Sequence, residues 1–334
     1  MSAPELIPVS ILTGFLGSGK TTLLRQLLRD PALSRTAVII NEFGEIGIDH
    51  ELVETSDESV VQLTTGCLCC RVASDLAMTL ADLARRREAG SIPRFEQVII
   101  ETSGLADPAP ILHTLMRGTL PPDYVLGTVT TTVDAVNGTS TLAWHEQSQR
   151  QAAMADRIVI TKTDMPESAL RRELARLNPD APVLTAVRGE LPAQALISPL
   201  PLDQGAEPIR HRYHHADALH HTHDPGIVSF SLVRSEPLRA ATLALFLEAL
   251  ADNCGVNLLR LKGFVHVAER SQGPAVIHGV QHVFHAPQWW DAWPSADRSS
   301  RLVFIVKGIS ETWVHNLLEL LEAEVADETA RRQF

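Results

Sequence analysis

The sequence predicts an α/β protein: a parallel sheet with helices on both faces, followed by a smaller α+β domain. Three observations predict it. Short β-branched apolar runs alternate with helical stretches as far as about Thr185. From Arg188 to Pro225 that periodicity is lost in a segment rich in Pro, Gly and His. Beyond it, strands and helices return in a different mixture. Apolar runs separated by helices fit a parallel sheet, whose strands need long crossovers and are buried on both faces.

Taken in order, the first strand is expected at 9–13, in the apolar run before a glycine-rich turn, and the first helix at 21–29. Strands follow at 37–41, 60–64, 97–101, 126–133, 157–161 and 183–185, each rich in β-branched residues. Helices are expected at 74–87, 108–117, 145–154 and 167–177 between them. The second unit offers strand 227–234, helix 238–251, strands near 258–267 and 276–284, strand 302–306 and helix 311–322. The expected division is therefore a domain at 1–187, a His-rich linker at 188–226 and a second domain at 227–334. There is no internal repeat.

The totals narrow the function. A formal charge of −11 argues against a nucleic-acid partner, which would call for a basic face. No apolar run approaches the roughly 18 residues of a membrane span, so no membrane partner is expected. The opening "MSAPELIPVSILTGF" lacks a basic n-region and reads as a first strand rather than a signal peptide. Four cysteines, three of them within 67–70, do not resemble a secreted disulfide framework. A reducing cytoplasm is the expected compartment.

The strongest motif is "GFLGSGKT", from Gly14 to Thr21, which fits G-x-x-x-x-G-K-[ST] in full. It follows an apolar strand and opens a helix. Gly14, Gly17 and Gly19 let backbone N–H groups face phosphates at the positive end of the helix, with Ser18 and Thr22 in the same cradle. Lys20 is expected on the β/γ-phosphates and the Thr21 hydroxyl on Mg²⁺. The first domain is thereby a P-loop NTPase fold. In "VIIETSGLADP" a second apolar strand ends in Glu101, which completes the Mg²⁺ site directly or through a water. Ser103 and Gly104 then lie where a loop would sense the γ-phosphate. At "TKTD" a third strand ends, and Asp164 can accept from guanine N1–H and the 2-amino group while the Lys162 stem lies along the ring.

The cluster "GCLCC" admits three readings. Cys67 and Cys70 have the spacing of a redox pair at a helix N-terminus, but Cys69 then has no role. A structural zinc knot would want four tight ligands, and the cluster offers three thiolates. An exchangeable site for Zn²⁺ or Co²⁺ needs only these three and a labile fourth position, for which Glu42 is a candidate. The tract "HRYHHADALHHTHD" holds six of the chain's 14 histidines, and reads as a weak metal collector or as a solvated linker. Trp289, Trp290 and Trp293 are expected to pack the second domain, and Cys254 to be a small buried hydrophobe.

"GFLGSGKTTLL", "NEFGEIGID", "GCLCC", "ETSGLADP" and "TKTD", in that order, closely resemble the CobW-like family of P-loop GTPases. The likeness covers nearly the whole chain, including a His-rich linker and a C-terminal domain with strings such as "LLRLKGFVHV". It implies a GTP-hydrolysing metallochaperone with GTP/GDP, Mg²⁺ and Zn²⁺ or Co²⁺ as cofactors, and a client metalloprotein as partner. It favours the exchangeable reading of Cys67, Cys69 and Cys70, with the catalytic set Lys20, Thr21 and Glu101. One departure is Thr161, where many GTPases carry Asn; losing the amide predicts a weaker link from the base loop to the phosphate loop. No arginine finger or water-orienting glutamine stands out, so slow turnover is expected until a client or a homodimer completes the site. The rival from another class is a P-loop phosphotransferase with structural zinc, and a third reading is a metal store without nucleotide chemistry.

Overall fold

The computed structural model describes residues 6–41, 62–64, 72–117, 120–121, 123–163, 168–197 and 226–332. Contacts divide the chain into two compact units, 1–199 and 200–334.

In the first unit seven strands form one sheet in the order β3-β2-β4-β1-β5-β6-β7. They are β1 (Ile7–Gly14), β2 (Thr36–Asn41), β3 (Gln62–Thr64), β4 (Gln97–Thr102), β5 (Tyr124–Asp134), β6 (Arg157–Thr161) and β7 (Val183–Thr185). Every pairing is parallel. The connecting helices are α1 (Lys20–Leu27), α2 (Val72–Glu88), α3 (Ala109–Met116), α4 (Gly138–Trp144), α5 (Glu146–Ala153), α6 (Ser168–Leu177) and α7 (Gln194–Ile197).

Alternation along β1 shows that both faces are covered. Leu12 enters a core with Leu23, Leu24 and Leu27 of α1. Thr13 points the other way, beside Thr131 of β5, whose hydroxyl donates to the Gln151 carbonyl of α5 at 2.7 Å. One face therefore carries α1 and the other α5. The expected strands and the five expected helices of this unit are present, β6 and β7 with the expected ends and the others with shifted ones.

The expected linker start at Arg188 needs correction. Ala193 and Leu196 are buried in the α1-side core, and buried Arg157 donates to the Ala195 carbonyl. Apolar burial and a charged donor thus hold the chain to the first unit through Ile197. Sequence reading also missed α4, which is short and rich in Thr and Gly.

The second unit is an antiparallel sheet in the order β11-β10-β9-β13-β8, with β12 paired to β10. Its elements are β8 (Ile227–Arg234), α8 (Ala240–Cys254), β9 (Leu258–Val267), β10 (Arg270–Val280), β11 (Val283–Phe284), β12 (Gln288–Trp289), β13 (Ser300–Lys307) and α9 (Glu311–Arg332). Phe246 and Leu250 of α8 and Val314 and Leu318 of α9 cover one sheet face, with Phe230 stacked on Phe304 at 5.1 Å. The expected strand 276–284 is a hairpin, β10 and β11, which turns at Gln281 with φ 54°. Trp290 packs edge-on to Phe264 and Trp293 to His266, while Cys254 is buried in the core.

Candidate functional site: the loops at the carboxyl edge of the parallel sheet

Parallel strands send all their following loops to one edge, so the loops that leave β1, β4 and β6, expected to meet phosphate, γ-phosphate and base, start from the same edge. β1 ends at Gly14 and α1 opens at Lys20, with the motif's turn between them. Gly14 has φ 143°, and a Cβ there would lie 2.3 Å from Thr132 Oγ1 and 2.8 Å from Ser18 Oγ. Gly17, with φ 71°, instead faces open space. The loop is thus pressed against β5 at one glycine and clear of it at another. Ser18 is buried, and its hydroxyl shares a 2.7 Å hydrogen bond with Thr132. Gly19 supplies the left-handed residue before the helix, while Thr22 is exposed on its first turn. The first turn of α1 carries no acidic residue, which leaves its N-terminal N–H groups suited to an anion.

The buried Lys20 ammonium donates to the Gly14 carbonyl at 2.8 Å and the Phe15 carbonyl at 3.2 Å. Those carbonyls hold it across the loop instead of letting it extend into solvent. Thr21 Oγ1 donates to Glu101 Oε1 at 2.6 Å, joining the first turn of α1 to the end of β4. A hydroxyl and a carboxylate in contact are hard oxygen donors of the kind Mg²⁺ prefers, so these residues fit that ion.

The loop expected to sense the γ-phosphate follows β4. A Cβ on Gly104 would lie 2.7 Å from the Leu16 backbone nitrogen, so only glycine lets this loop pack on the phosphate loop. Gln151 donates through Nε2 to the Gly104 carbonyl at 3.1 Å and the Ala106 carbonyl at 3.0 Å. Asp107, two residues before α3, accepts from the Ala109 N–H at 2.9 Å and pairs with Arg150 at 3.0 Å.

At the base loop, Thr161 Oγ1 donates to the Ser18 carbonyl at 2.7 Å. Lys162 takes a left-handed conformation, φ 54°, and its ammonium lies 2.7 Å from Asp134 Oδ2. Asp134 also accepts from the Val136 N–H and from Asn137. Burial pushes its carboxyl up, but the bonds from Lys162, Val136 and Asn137 and the lysine charge outweigh that and hold it below the usual carboxylate range. Asp164 lies outside the described residues.

Sequence reading missed Asp134, Thr132 and Gln151. Asp134 carried the signal that revealed Glu101, an apolar strand ending in an acid. Thr132 and Gln151 have no local signal, because only the fold brings them to the loops.

The candidate metal ligands Cys67, Cys69, Cys70 and Glu42 also lie outside the described residues. Among the described residues no group of three or more His, Cys, Asp or Glu could hold a metal. One row of the sheet still bears on them. Thr64 pairs with Ile40, Ile40 with Glu101, and Glu101 with Leu12. The chain thus leaves β3 toward the cysteines in the same row, and at the same edge, as the end of β4.

Residues 8–185 match the CobW/HypB/UreG nucleotide-binding domain and residues 227–322 the cobalamin synthesis protein cobW C-terminal domain. The chain is 34% identical over 305 residues to the zinc chaperone YjiA of Escherichia coli, covering 90% of this chain and 93% of that protein. It is 32% identical over 359 residues to the zinc chaperone CobW of Pseudomonas aeruginosa, covering 93% of this chain and 90% of the relative. The crystal structure of the Zn(II)-bound YjiA GTPase from E. coli superposes with a TM-score of 0.69 at 28% identity, over 95% of this chain and 99% of that one. A likeness that runs through both domains of relatives this similar reflects common descent, and the chain belongs to the CobW/HypB/UreG family of P-loop GTPases.

Proposed function

We propose that this GTPase is a metallochaperone: it binds Zn²⁺ or Co²⁺ through Cys67, Cys69 and Cys70, with Glu42 as a further ligand, and delivers the ion to a client metalloprotein. The observation that carries the reading is the row Thr64–Ile40–Glu101–Leu12, which starts the cysteine segment two strands from the Mg²⁺ ligand. Relatives described as zinc chaperones support the same reading. Thiolates grouped at 67–70 suit a borderline-soft ion, and a three-thiolate set leaves it exchangeable.

The GTPase chemistry follows from the loops. Water attacks the γ-phosphorus in line, the bond to the β–γ bridging oxygen breaks, and GDP and phosphate leave. Lys20 would move from its loop carbonyls to the β/γ-phosphate oxygens, and the α1 N-terminus faces the same charge. Thr21 and Glu101 would hold Mg²⁺, which supplies charge neutralisation on those oxygens. Gly104 would meet the γ-phosphate, and Asp164 would read guanine beside Lys162.

The working arrangement is a nucleotide domain that keeps the chain through Ile197, the His-rich tract as a weak metal collector, and the C-terminal domain at 227–334. The cytoplasm is the compartment consistent with thiol ligands. A client or a homodimer partner completes the site and speeds turnover.

The test is a Co²⁺ titration of protein carrying GDP or a non-hydrolysable GTP analogue, followed by absorption, because thiolate ligation in a tetrahedral site is visibly distinct. The reading expects tighter binding with the analogue, by roughly 5–150-fold, and reciprocal tightening of the analogue by the metal. It expects loss of the thiolate bands in the Cys67→Ser/Cys69→Ser/Cys70→Ser variant. Equal affinity in both nucleotide states would leave a GTPase that contains metal without moving it.

A further inference from the structure

The sensor loop is held from behind by two consecutive residues of one helix. Gln151 is fully buried, and its side-chain nitrogen spans the Gly104 and Ala106 carbonyls at 3.1 and 3.0 Å. Its amide orientation is fixed by chemistry, since only the NH₂ end can donate to two carbonyl oxygens. Arg150 pairs with Asp107 at the far end of the same loop. The helix is itself anchored at both levels. Thr131 donates to the Gln151 carbonyl from β5, and Asn178 donates to the carbonyls of Ala152, Ala153 and Ala155 at 2.9 to 3.1 Å. At the other end of α5, His145 stacks on Phe15 of the phosphate loop at 4.5 Å.

Gly104 is therefore clamped between two fixed surfaces. Its α-carbon side abuts the Leu16 backbone, with 2.7 Å to the nitrogen for a Cβ placed there, and its carbonyl is held by Gln151. A peptide plane fixed at its carbonyl fixes the direction of the chain on either side of it. Within one trans peptide plane the C=O and the next residue's N–H point opposite ways, so holding the Gly104 and Ala106 carbonyls toward Gln151 turns the Leu105 and Asp107 N–H groups away from it.

We propose that Gln151 is a positioning residue for the triphosphate state: its amide sets the Gly104–Ala106 backbone in the path that meets a γ-phosphate. This rests on the assignment of the Gly104 loop as the γ-phosphate sensor and goes beyond it by naming what holds that loop. The role is specific to the third phosphate. GDP presents nothing to Gly104, so its affinity is set by the phosphate and base loops and does not depend on Gln151. The action is purchased from preorganisation, because a loop already in place loses less freedom when the γ-phosphate arrives.

The experiment compares wild type with Gln151→Met and Gln151→Glu. Met keeps the volume without donors; Glu turns the donors into acceptors facing two carbonyls. Affinities for GDP and for a non-hydrolysable GTP analogue with Mg²⁺, turnover and melting temperature are measured for each. We expect GDP affinity within about twofold of wild type, and analogue affinity and turnover about tenfold lower in Gln151→Met and lower still in Gln151→Glu. Retained analogue affinity and turnover in Gln151→Met would overturn the proposal. So would an equal loss for GDP and analogue, with or without a lower melting temperature, because that is what a purely structural glutamine would give. Wild-type protein that failed to distinguish the analogue from GDP would instead remove the sensor assignment beneath it.

Discussion

Thr161 Oγ1 donates to the Ser18 carbonyl at 2.7 Å, joining the base loop to the phosphate loop through a single hydroxyl. Many GTPases place Asn here, and losing its amide predicted a weaker link. The Thr hydroxyl makes the link directly, in close approach to the phosphate loop: a Cβ on Gly19 would lie 3.3 Å from Thr161 Oγ1. Thr161→Val keeps the shape and strands a buried carbonyl, at a cost of about 1–3 kcal/mol. Thr161→Ser retains the donor and should stay close to wild type. Chemical unfolding of both variants, with GTP affinity alongside, checks the contrast. Equal stability of the two would show that the hydroxyl contributes nothing.

Lys20→Ala removes the cation now held on the Gly14 and Phe15 carbonyls. Turnover should fall by roughly 100-fold or more, because charge developing on the β/γ-phosphate oxygens loses its main partner. Single-turnover hydrolysis measures this directly. Near-normal rates would mean that the lysine serves the loop's own structure alone.

Two glycines of the same loop should respond differently to alanine. At Gly14 the new methyl meets Thr132 side chain and backbone at 2.3 and 2.5 Å, so β5 or the loop must shift. We expect about 2–3 kcal/mol of lost stability. At Gly17 nothing lies within 4 Å, and only the left-handed φ of 71° opposes the change, at about 1 kcal/mol. Urea midpoints give both numbers, and a reversed order would contradict the packing of the loop on β5.

Why some of this was legible and some not has physical reasons. The β-strands of the first unit announce themselves because each is a short β-branched run, and the phosphate loop because glycine, lysine and threonine recur at fixed spacing. Helix α4 was hidden, since Gly138, Thr139 and Thr141 are weak helix formers; Asp134, accepting from Val136 and Asn137, starts the turn that precedes it. The end of α9 was placed at Glu322 because the apolar period fades there, yet the helix continues to Arg332. Gln151 looks like any polar residue in "EQSQRQAA". Its function exists only because parallel pairing brings α5 behind a loop forty-odd residues earlier in the chain.

Asp134 makes a prediction about acid. Its folded-state carboxyl titrates below the ordinary value of 3.8, so its contribution is present above the unfolded value and lost as pH falls through the lower folded one. Lys162→Met removes both the strongest lowering hydrogen bond and the nearby positive charge. The acid limb of the stability curve should then move to higher pH, while the plateau near neutrality drops modestly because Lys162 is half-exposed. Unfolding midpoints between about pH 3 and 7 test the direction. An acid limb that stayed in place would mean that Lys162 does not stabilise the ionised Asp134.

The base loop gives the sharpest test of nucleotide choice. The left-handed Lys162, tied to Asp134 at the end of β5, stands two residues before Asp164 in the chain. We expect Asp164 to accept from guanine N1–H and the 2-amino group, a pair of donors that adenine does not offer in that arrangement. Asp164→Asn replaces one acceptor by a donor that meets the 2-amino group head-on. The same donor suits the 2-carbonyl of xanthine. GTP affinity should therefore fall and xanthosine triphosphate affinity rise, a reversal that general damage to the loop cannot produce. Competition binding of GTP, XTP and ATP to wild type and variant reads it. If wild type bound ATP as tightly as GTP, the assignment of Asp164 to the base would fail, whereas loss of all three nucleotides in the variant would assign the residue to the loop's structure.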